Sequence, residues 1–220
     1  FTGPVNINGG VLTLNNSSSG LYTYRGGTIT IDNGATLRVS RTGSADQYWF
    51  NGKTFAFGAA GGGTIDTTTA MNIVVYGGSS ITTSGGAQNS IIGASGINLH
   101  NSESITFNVA DGAAATDLQV SAPLFNGGGV IKTGAGVLQL TGNNSYSGAT
   151  VVNQGVLAVS GGNGIGNASS VTLSASDASA LLRLDASEAI NSLAGGSATA
   201  GGVNLQGNTL QIGQQAGNAT

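Results

Sequence analysis

The sequence predicts an all-β protein that folds as a parallel β-helix, a stack of coils built from short strands. Short apolar segments of four to six residues, which we call apolar phrases, have side chains that alternate between inward and outward positions, as in a strand. Clusters of glycine and asparagine separate the phrases and permit the positive φ angles of tight corners. One phrase repeats closely, because GVLQLTG at 136–142 returns as GVLAVSG at 155–161. These three observations together indicate repeated coils.

The apolar phrases, taken in chain order, are the predicted strands. Within the repeated phrase, Leu138 and Leu140 are predicted to point inward, and Val137 and Gln139 outward. A helix is expected nowhere beyond a single turn in 185–196, where Glu188 follows Asp185 in the spacing of a capping box. The phrases lie at 10–14, 27–31, 35–39, 63–67, 96–99, 104–109, 117–120, 129–133, 136–140, 155–159, 170–174, 181–185, 202–205 and 208–212.

The free-energy balance of a single repeat favours a parallel β-helix over a sandwich or an up-and-down barrel. A four-residue strand buries about two side chains worth roughly 1.5 to 3 kcal/mol each, whereas ordering one residue costs about 1 to 2 kcal/mol. No repeat is stable alone, so like faces must stack on both sides of it. With roughly 20 to 25 residues in a coil, residues 1–220 form a single β-helix of roughly 9 to 11 coils.

Composition excludes several classes of function. Charged residues make up 7% of the chain, the formal net charge is −3, and cysteine is absent. Such a chain offers no basic surface for a polyphosphate, so nucleic acid is not an expected partner. No apolar run reaches the roughly 18 residues of a membrane span. Thiolate metal sites are excluded, and no cofactor, metal or catalytic residue is expected.

The segment GAGVLQLTGNNSYSGATVVNQGVLAV at 134–159 closely resembles a known family, the autotransporter-associated β-strand repeat, also called the passenger-associated transport repeat. Weaker matches flank it at 61–67, 122–136 and 166–213. The resemblance implies a right-handed β-helix without enzymatic activity, exported across the outer membrane of a bacterium and secreted or displayed at the cell surface. The structural positions of the repeat are Gly136, Leu138, Leu140, Gly142, Asn144, Tyr146, Gly148, Thr150, Val152, Gly155, Leu157 and Val159.

Three functions remain open from the sequence. The leading prediction is the stalk of an adhesin-like passenger, and the absence of a signal peptide and of barrel strands predicts that the chain is a passenger segment. The alternative is an extracellular filament whose uncapped coil ends join like subunits. A glycan-cleaving β-helix is the third, because stacking brings acidic side chains of neighbouring coils together. The expected partners are more of the same chain, like subunits, or a host or matrix glycan or protein.

The segment QYWFNGKTFAF at 47–57 is the expected binding site, if the chain has one. Its Asn51-Gly52 dipeptide between alternating residues predicts a hairpin excursion within 41–60. The aromatics either project and stack on a glycan or partner, or fold back and cover an open groove, and the second interpretation is favoured because exposed aromatics promote aggregation. The aromatic residues are Tyr48, Trp49, Phe50, Phe55 and Phe57.

Other residues suited to chemistry have structural interpretations. His100 is the sole histidine and is expected at a solvent-exposed or corner position, since one imidazole is a poor ligand set. Asp32 and Asp66 are expected to make local turn hydrogen bonds. GGNGIGNAS at 161–169 resembles a calcium-binding nonapeptide, but Gly166 stands in place of the aspartate ligand, so no calcium site is expected.

Overall fold

A computed structural model of the chain describes residues 3–16, 23–41, 47–67, 72–76, 78–92, 96–173, 179–195 and 201–213. The protein is an all-β solenoid in which every paired strand is parallel to its neighbours in adjacent coils. The helical structure in the described residues is one 3-10 turn, His100–Ser102, after a strand. No described helix is long and apolar enough to cross a membrane.

Two long sheets of nine strands each form the body of the solenoid. The first contains β1 (Val5–Asn8), β4 (Thr28–Asp32), β7 (Thr54–Phe57), β10 (Ser80–Thr83), β13 (Ile105–Val109), β16 (Val130–Thr133), β18 (Thr150–Val152), β20 (Ser170–Leu173) and β23 (Ser192–Gly195). The second contains β2 (Val11–Asn16), β5 (Thr36–Arg41), β8 (Thr64–Thr67), β11 (Asn89–Ile92), β14 (Leu118–Val120), β17 (Val137–Leu140), β19 (Val156–Val159), β21 (Leu181–Leu184) and β24 (Gly202–Asn204).

Part of the stack also has strands on a third side, between the two long sheets. Its main sheet has five strands: β3 (Thr23–Arg25), β6 (Gln47–Asn51), β9 (Asn72–Tyr76), β12 (Ile97–Leu99) and β15 (Leu124–Phe125). A two-stranded sheet, β22 (Glu188–Ile190) and β25 (Leu210–Ile212), lies toward the C-terminal end. The coils between them, within the described residues, have strands on two sides only.

The coils vary in length along the stack. In a three-sided coil, Thr54 pairs with Ser80, which lies 26 positions further along the chain. Further along the stack, Asn144 lies only 20 positions beyond Leu124, the residue it contacts in the preceding coil. Nine strands a sheet correspond to about seven to eight full turns of the described chain, fewer than the nine to eleven predicted. The prediction was too high because the three-sided coils are longer than the coil length it assumed.

The core runs along the axis between the sheets, because the inward side chains of successive coils stack. Ile29 lies opposite Phe55, Phe55 opposite Ile81, and Ile81 opposite Phe107, and these four residues are at most 3% exposed. Burial follows the predicted alternation in β17, where Leu138 and Leu140 are buried. All fourteen predicted apolar phrases contain strands, so the fold class is confirmed, while the right hand of the coil stays a prediction.

The helical turn suggested within 185–196 is wrong, because β22 and β23 lie there. Glu188 does not cap a helix. Its backbone N–H donates to the Thr209 carbonyl oxygen of the next coil, and its carboxylate turns inward and accepts from the Gly164 N–H at 2.8 Å. Pairing with neighbouring coils on both sides outweighs the local capping signal.

Candidate functional site

The hairpin predicted around Asn51-Gly52 is not formed. β6 pairs in parallel with β3 and β9, and β7 pairs in parallel with β4 and β10, so the two strands belong to different sheets. Gly52 adopts a φ of 60° at the corner between them, and its N–H donates to the Tyr76 carbonyl oxygen at 2.9 Å. The dipeptide signals a sharp turn, but the neighbouring coils supply better partners than the two strands offer each other.

Four of the five aromatic side chains in this segment are core residues. Tyr48, Phe50, Phe55 and Phe57 are at most 3% exposed. The Tyr48 and Phe50 rings stack with their centroids 5.8 Å apart, and Phe50 meets Phe55 edge to face at 4.9 Å. The prediction that these four contact a glycan or a partner is therefore wrong. They fill the interior of a coil, and they do not cover a groove either.

Trp49 is the one aromatic of the segment on the outer face, where it forms a cluster with two residues from later coils. Its ring meets Tyr76 edge to face at 5.5 Å and His100 at 4.7 Å, and Tyr76 and His100 are 5.7 Å apart. All three side chains are partly exposed. His100 thus lies at a corner, as expected. The alternation in 47–57 could place Trp49 outward, but it could not reveal Tyr76 as a neighbour.

The Trp49 indole N–H lacks a hydrogen-bond partner in the described part of the chain, although its Nε1 atom is buried. An unsatisfied buried donor costs about 1 to 3 kcal/mol. The outward cluster also covers Val74, which is fully buried and lies opposite Trp49 in the sheet. Covering Val74 does not require an indole ring. Burial alone therefore does not explain why residue 49 is a tryptophan.

The transport-repeat motif marks inward positions. Of its twelve structural residues, all except Gly148 are buried. Asn144 joins three coils, because its side-chain oxygen accepts from the Leu124 N–H and its amide donates to the Gly164 carbonyl oxygen, both at 2.7 Å. Both partners of Asn144 are backbone groups.

A chain of buried hydroxyl groups crosses the interior beside Asn144. The Tyr146 hydroxyl lies 2.7 Å from Thr150 Oγ1, which lies 2.9 Å from Ser169 Oγ. Ser169 donates in turn to the Gly148 carbonyl oxygen at 2.8 Å. Burial raises the pKa of Tyr146, so its phenol stays protonated. The large Tyr146 side chain fills space in coils that lack a third strand.

Lys132 and Glu188 are two ionisable side chains that the interior buries. Lys132 is fully buried, and its Nζ donates to the carbonyl oxygens of Thr133, Gly134 and Gln154 at 2.6–3.1 Å. Burial lowers the pKa of Lys132 to about 8. Burial also raises the pKa of Glu188, against the opposing effect of the Gly164 N–H. Both side chains bond to backbone groups at corners, so they tie parts of the stack together.

The remaining acidic and glycine-rich candidates have structural roles. Asp32 Oδ1 accepts from the Asn33 N–H at 2.8 Å, as expected of a turn residue. Asp66 instead forms an ion pair with Arg38 at 2.6 Å across two strands, so its predicted turn role is wrong. At Gly166, a Cβ would overlap the Tyr146 carbonyl oxygen, which explains the glycine sterically. Within the described residues, no group of three or more His, Cys, Asp and Glu could hold a metal ion.

Comparison with known proteins agrees with these features. Residues 130–159 match the family model of the passenger-associated-transport-repeat. The adhesin BmaC autotransporter of Brucella suis biovar 1 (strain 1330) is 40% identical over 108 residues, which is 49% of this chain. The matched part is 3% of the length of that relative. No solved structure matches the chain significantly.

Proposed function

We propose, on the premise that residues 130–159 are a passenger-associated transport repeat, that this chain is a non-enzymatic stalk segment of an autotransporter passenger displayed at a bacterial cell surface. The observation that carries the proposal is the fold of the repeat itself. Eleven of its twelve motif residues are buried, and Asn144 bonds to the coils on either side, which supports a role of the repeat in holding the stack together. The adhesin similar to this chain supports the surface location.

The geometry suits a chain that folds as it emerges from a membrane. A finished coil presents a row of free N–H and C=O groups, and the next coil pairs with that row in parallel. Polar side chains then lock coils together, as Asn144 does between Leu124 and Gly164. Each added coil buries apolar surface and makes backward movement of the chain unfavourable. Folding outside the cell thereby supports export.

Export of the natural full-length protein with Tyr146→Ala tests the stalk function. We expect less protein at the cell surface, because the variant loses the buried ring and the hydroxyl chain to Thr150 and Ser169. Antibody labelling of intact cells, divided by total protein, is the measurement. Thr172→Ala, at an exposed position of β20, is the matched control and should be displayed normally. Equal display of a destabilised Tyr146→Ala variant would contradict a role for the repeat in export.

The proposed partners at the ends of the stack are further coils of the same chain or like subunits. On the last described coils, Leu193, Val203 and Leu210 pack against the core but remain partly exposed. A stacked coil would bury these side chains. The same partly exposed apolar side chains support a second candidate function, a self-assembling filament. Electron microscopy of the purified chain separates the two, since a stalk segment gives short rods and a filament subunit gives long unbranched fibres.

Glycan cleavage is the third candidate carried from the sequence. The acidic side chains Asp32, Asp66 and Asp185 have structural partners, which supports a protein without catalytic activity. A polysaccharide-hydrolysis screen tests this directly. Hydrolysis that disappears when one carboxylate is changed to its amide would replace the structural proposal with an enzymatic one.

A further inference from the structure

Four of the cationic side chains that the structure describes are engaged by the fold. Arg38 and Arg183 form ion pairs with Asp66 and Asp185. Lys53 and Lys132 are fully buried and donate to backbone carbonyl oxygens. Arg25 differs, because it is exposed and has no hydrogen bond or carboxylate partner among the residues that the structure describes. An exposed guanidinium without a partner in the described residues is a distinctive surface feature of a chain with so few charges.

Arg25 lies beside the outward aromatic cluster. In the third sheet, Arg25 is opposite Asn51 of the next coil, and Asn51 is opposite Tyr76 of the one after. Trp49 precedes Asn51 by two residues and so points to the same side of the strand. With strands about 4.8 Å apart, Arg25 and Tyr76 are separated by roughly 10 Å. We call this surface the outer aromatic face, and it consists of Arg25, Trp49, Asn51, Tyr76 and His100.

The composition of the outer aromatic face favours a carbohydrate. Partly exposed rings of Trp49 and Tyr76 provide apolar surfaces with polar edges, which suit sugar rings with their C–H faces and hydroxyl rims. Asn51 adds an amide, which both donates and accepts. Arg25 adds one cation suited to a planar carboxylate. One cation on a chain of net charge −3 is too little for a dense polyanion such as nucleic acid.

We propose that the outer aromatic face binds a polysaccharide chain that contains uronic acid, with a sugar ring against Trp49 and Tyr76 and a uronate carboxylate at Arg25. The chain would run along the solenoid axis, since the face extends over consecutive coils. Glu103 is exposed just after the His100 turn. Its negative charge disfavours a carboxylate of the ligand at that end of the outer aromatic face. The inference rests on the proposed function, which places this face outside the cell, but it is tested on purified protein.

The unsatisfied Trp49 N–H supports a role other than stability. Natural proteins break a local rule of stability most often at functional sites. Trp49→Phe removes the orphaned donor and keeps an aromatic ring, so we expect this variant to unfold at the same denaturant concentration as the natural protein or a higher one. It therefore offers a folded probe of the face even where Trp49→Ala unfolds.

The test is titration calorimetry of the purified chain with tetragalacturonic acid and with its fully methyl-esterified form, which keeps the rings and removes the charges. We expect binding of the acid and at least tenfold weaker binding of the ester. Arg25→Gln should lower affinity for the acid about tenfold, and Trp49→Ala should lower it further, whereas Trp49→Phe should stay within about threefold. Raising the salt concentration should weaken binding of the acid.

Arg38→Gln is the matched control, because Arg38 lies on the second long sheet and is paired with Asp66. Its affinity for the acid should equal that of the natural chain. Absence of binding to the acid, equal binding of acid and ester, or an equal loss in Arg38→Gln and Arg25→Gln would each overturn the proposal. Such a failure leaves the stalk function standing, since surface display is measured separately in cells.

Discussion

At the scale of single residues, the polar side chains inside this solenoid act as ties between coils. Asn144 accepts from Leu124 and donates to Gly164, and Glu188 accepts from Gly164 one coil further on. Asp117 likewise accepts from Gly112 and Val137 at 2.8 Å. Their partners are backbone groups at corners or at the first residues of strands. A buried polar group is tolerated here because its hydrogen bonds are made.

Lys132 makes stability depend on pH in the alkaline range. Its pKa in the folded protein is about 8, below the 10.5 of an ordinary lysine, so between these values the unfolded chain holds a proton that the folded protein has released. The free energy of unfolding should therefore rise with pH from 8 upward, by at most about 1.4 kcal/mol per unit. Urea unfolding between about pH 7 and 9 measures this.

The Lys132→Met variant is the control for that slope. Methionine carries no proton, so the rise in stability should become smaller. A residual slope is expected from Lys53, whose pKa burial also lowers from 10.5. An unchanged slope in Lys132→Met would show that the pH dependence has another source.

Charge on an inward position of β17 should unfold the protein. Leu138→Asp places a carboxylate where the side chain is fully buried, opposite Leu118 and Leu157, and should cost about 4 kcal/mol or more. The neighbouring Gln139 is partly exposed, so Gln139→Ser should cost less than about 1 kcal/mol. Chemical denaturation of both variants tests the inward and outward assignment, and equal losses would refute it.

At the scale of elements, the solenoid depends on corners as much as on strands. The corner after β19 passes close to the preceding coil at Gly166, where a Cβ would overlap the Tyr146 carbonyl oxygen. The obstacle is backbone, which cannot move without disturbing the stack. Glycine is needed at position 166 because a side chain would collide with the backbone of another coil. At Gly52 the cause is the backbone conformation, since its φ is 60°.

Gly166→Ala tests the importance of the corner. We expect a loss of about 3 kcal/mol or more, because the methyl group forces two coils apart. Gly202→Ala is the matched control in β24, where a Cβ would make an ordinary contact at 3.8 Å with Leu181. Thermal unfolding of both variants is the measurement. Comparable melting temperatures for the two variants would argue against close packing at the Gly166 corner.

At the scale of the whole molecule, the transport repeat lies where the cross-section changes. The earlier, three-sided coils place partners such as Thr54 and Ser80 26 positions apart, whereas Leu124 and Asn144 are 20 positions apart. The Asn144 bonds and the Tyr146 ring occupy the side where earlier coils have a strand. The stack continues in register through this change, since both long sheets pass across it without interruption.

The particle should be elongated, with strands across its long axis. Nine strands about 4.8 Å apart give a rod about 40 Å long. Small-angle X-ray scattering of the purified chain should show a distance distribution with a tail toward long distances. A symmetric distribution, typical of a sphere, would contradict the stacked arrangement and the stalk function with it.

Sequence patterns alone predict the fold class and the facing of the strongest apolar phrases. Period-two alternation and Gly-Asn corners are local signals, and they placed Leu138 inward and fourteen strands in the right positions. The repeat motif likewise marked buried positions such as Tyr146. Local signals failed where a distant partner decided the outcome, as at the Asn51-Gly52 corner and at Glu188.

Which residues become neighbours depends on the folded stack as a whole. The partner of a residue in the next coil lies 26 positions away in one part of the stack and 20 in another. The outer aromatic face exists because the longer coils bring Trp49 beside Tyr76 and His100. A repeating pattern specifies that coils stack, but register between coils is set by packing and hydrogen bonding of the whole stack, which no short stretch of sequence contains.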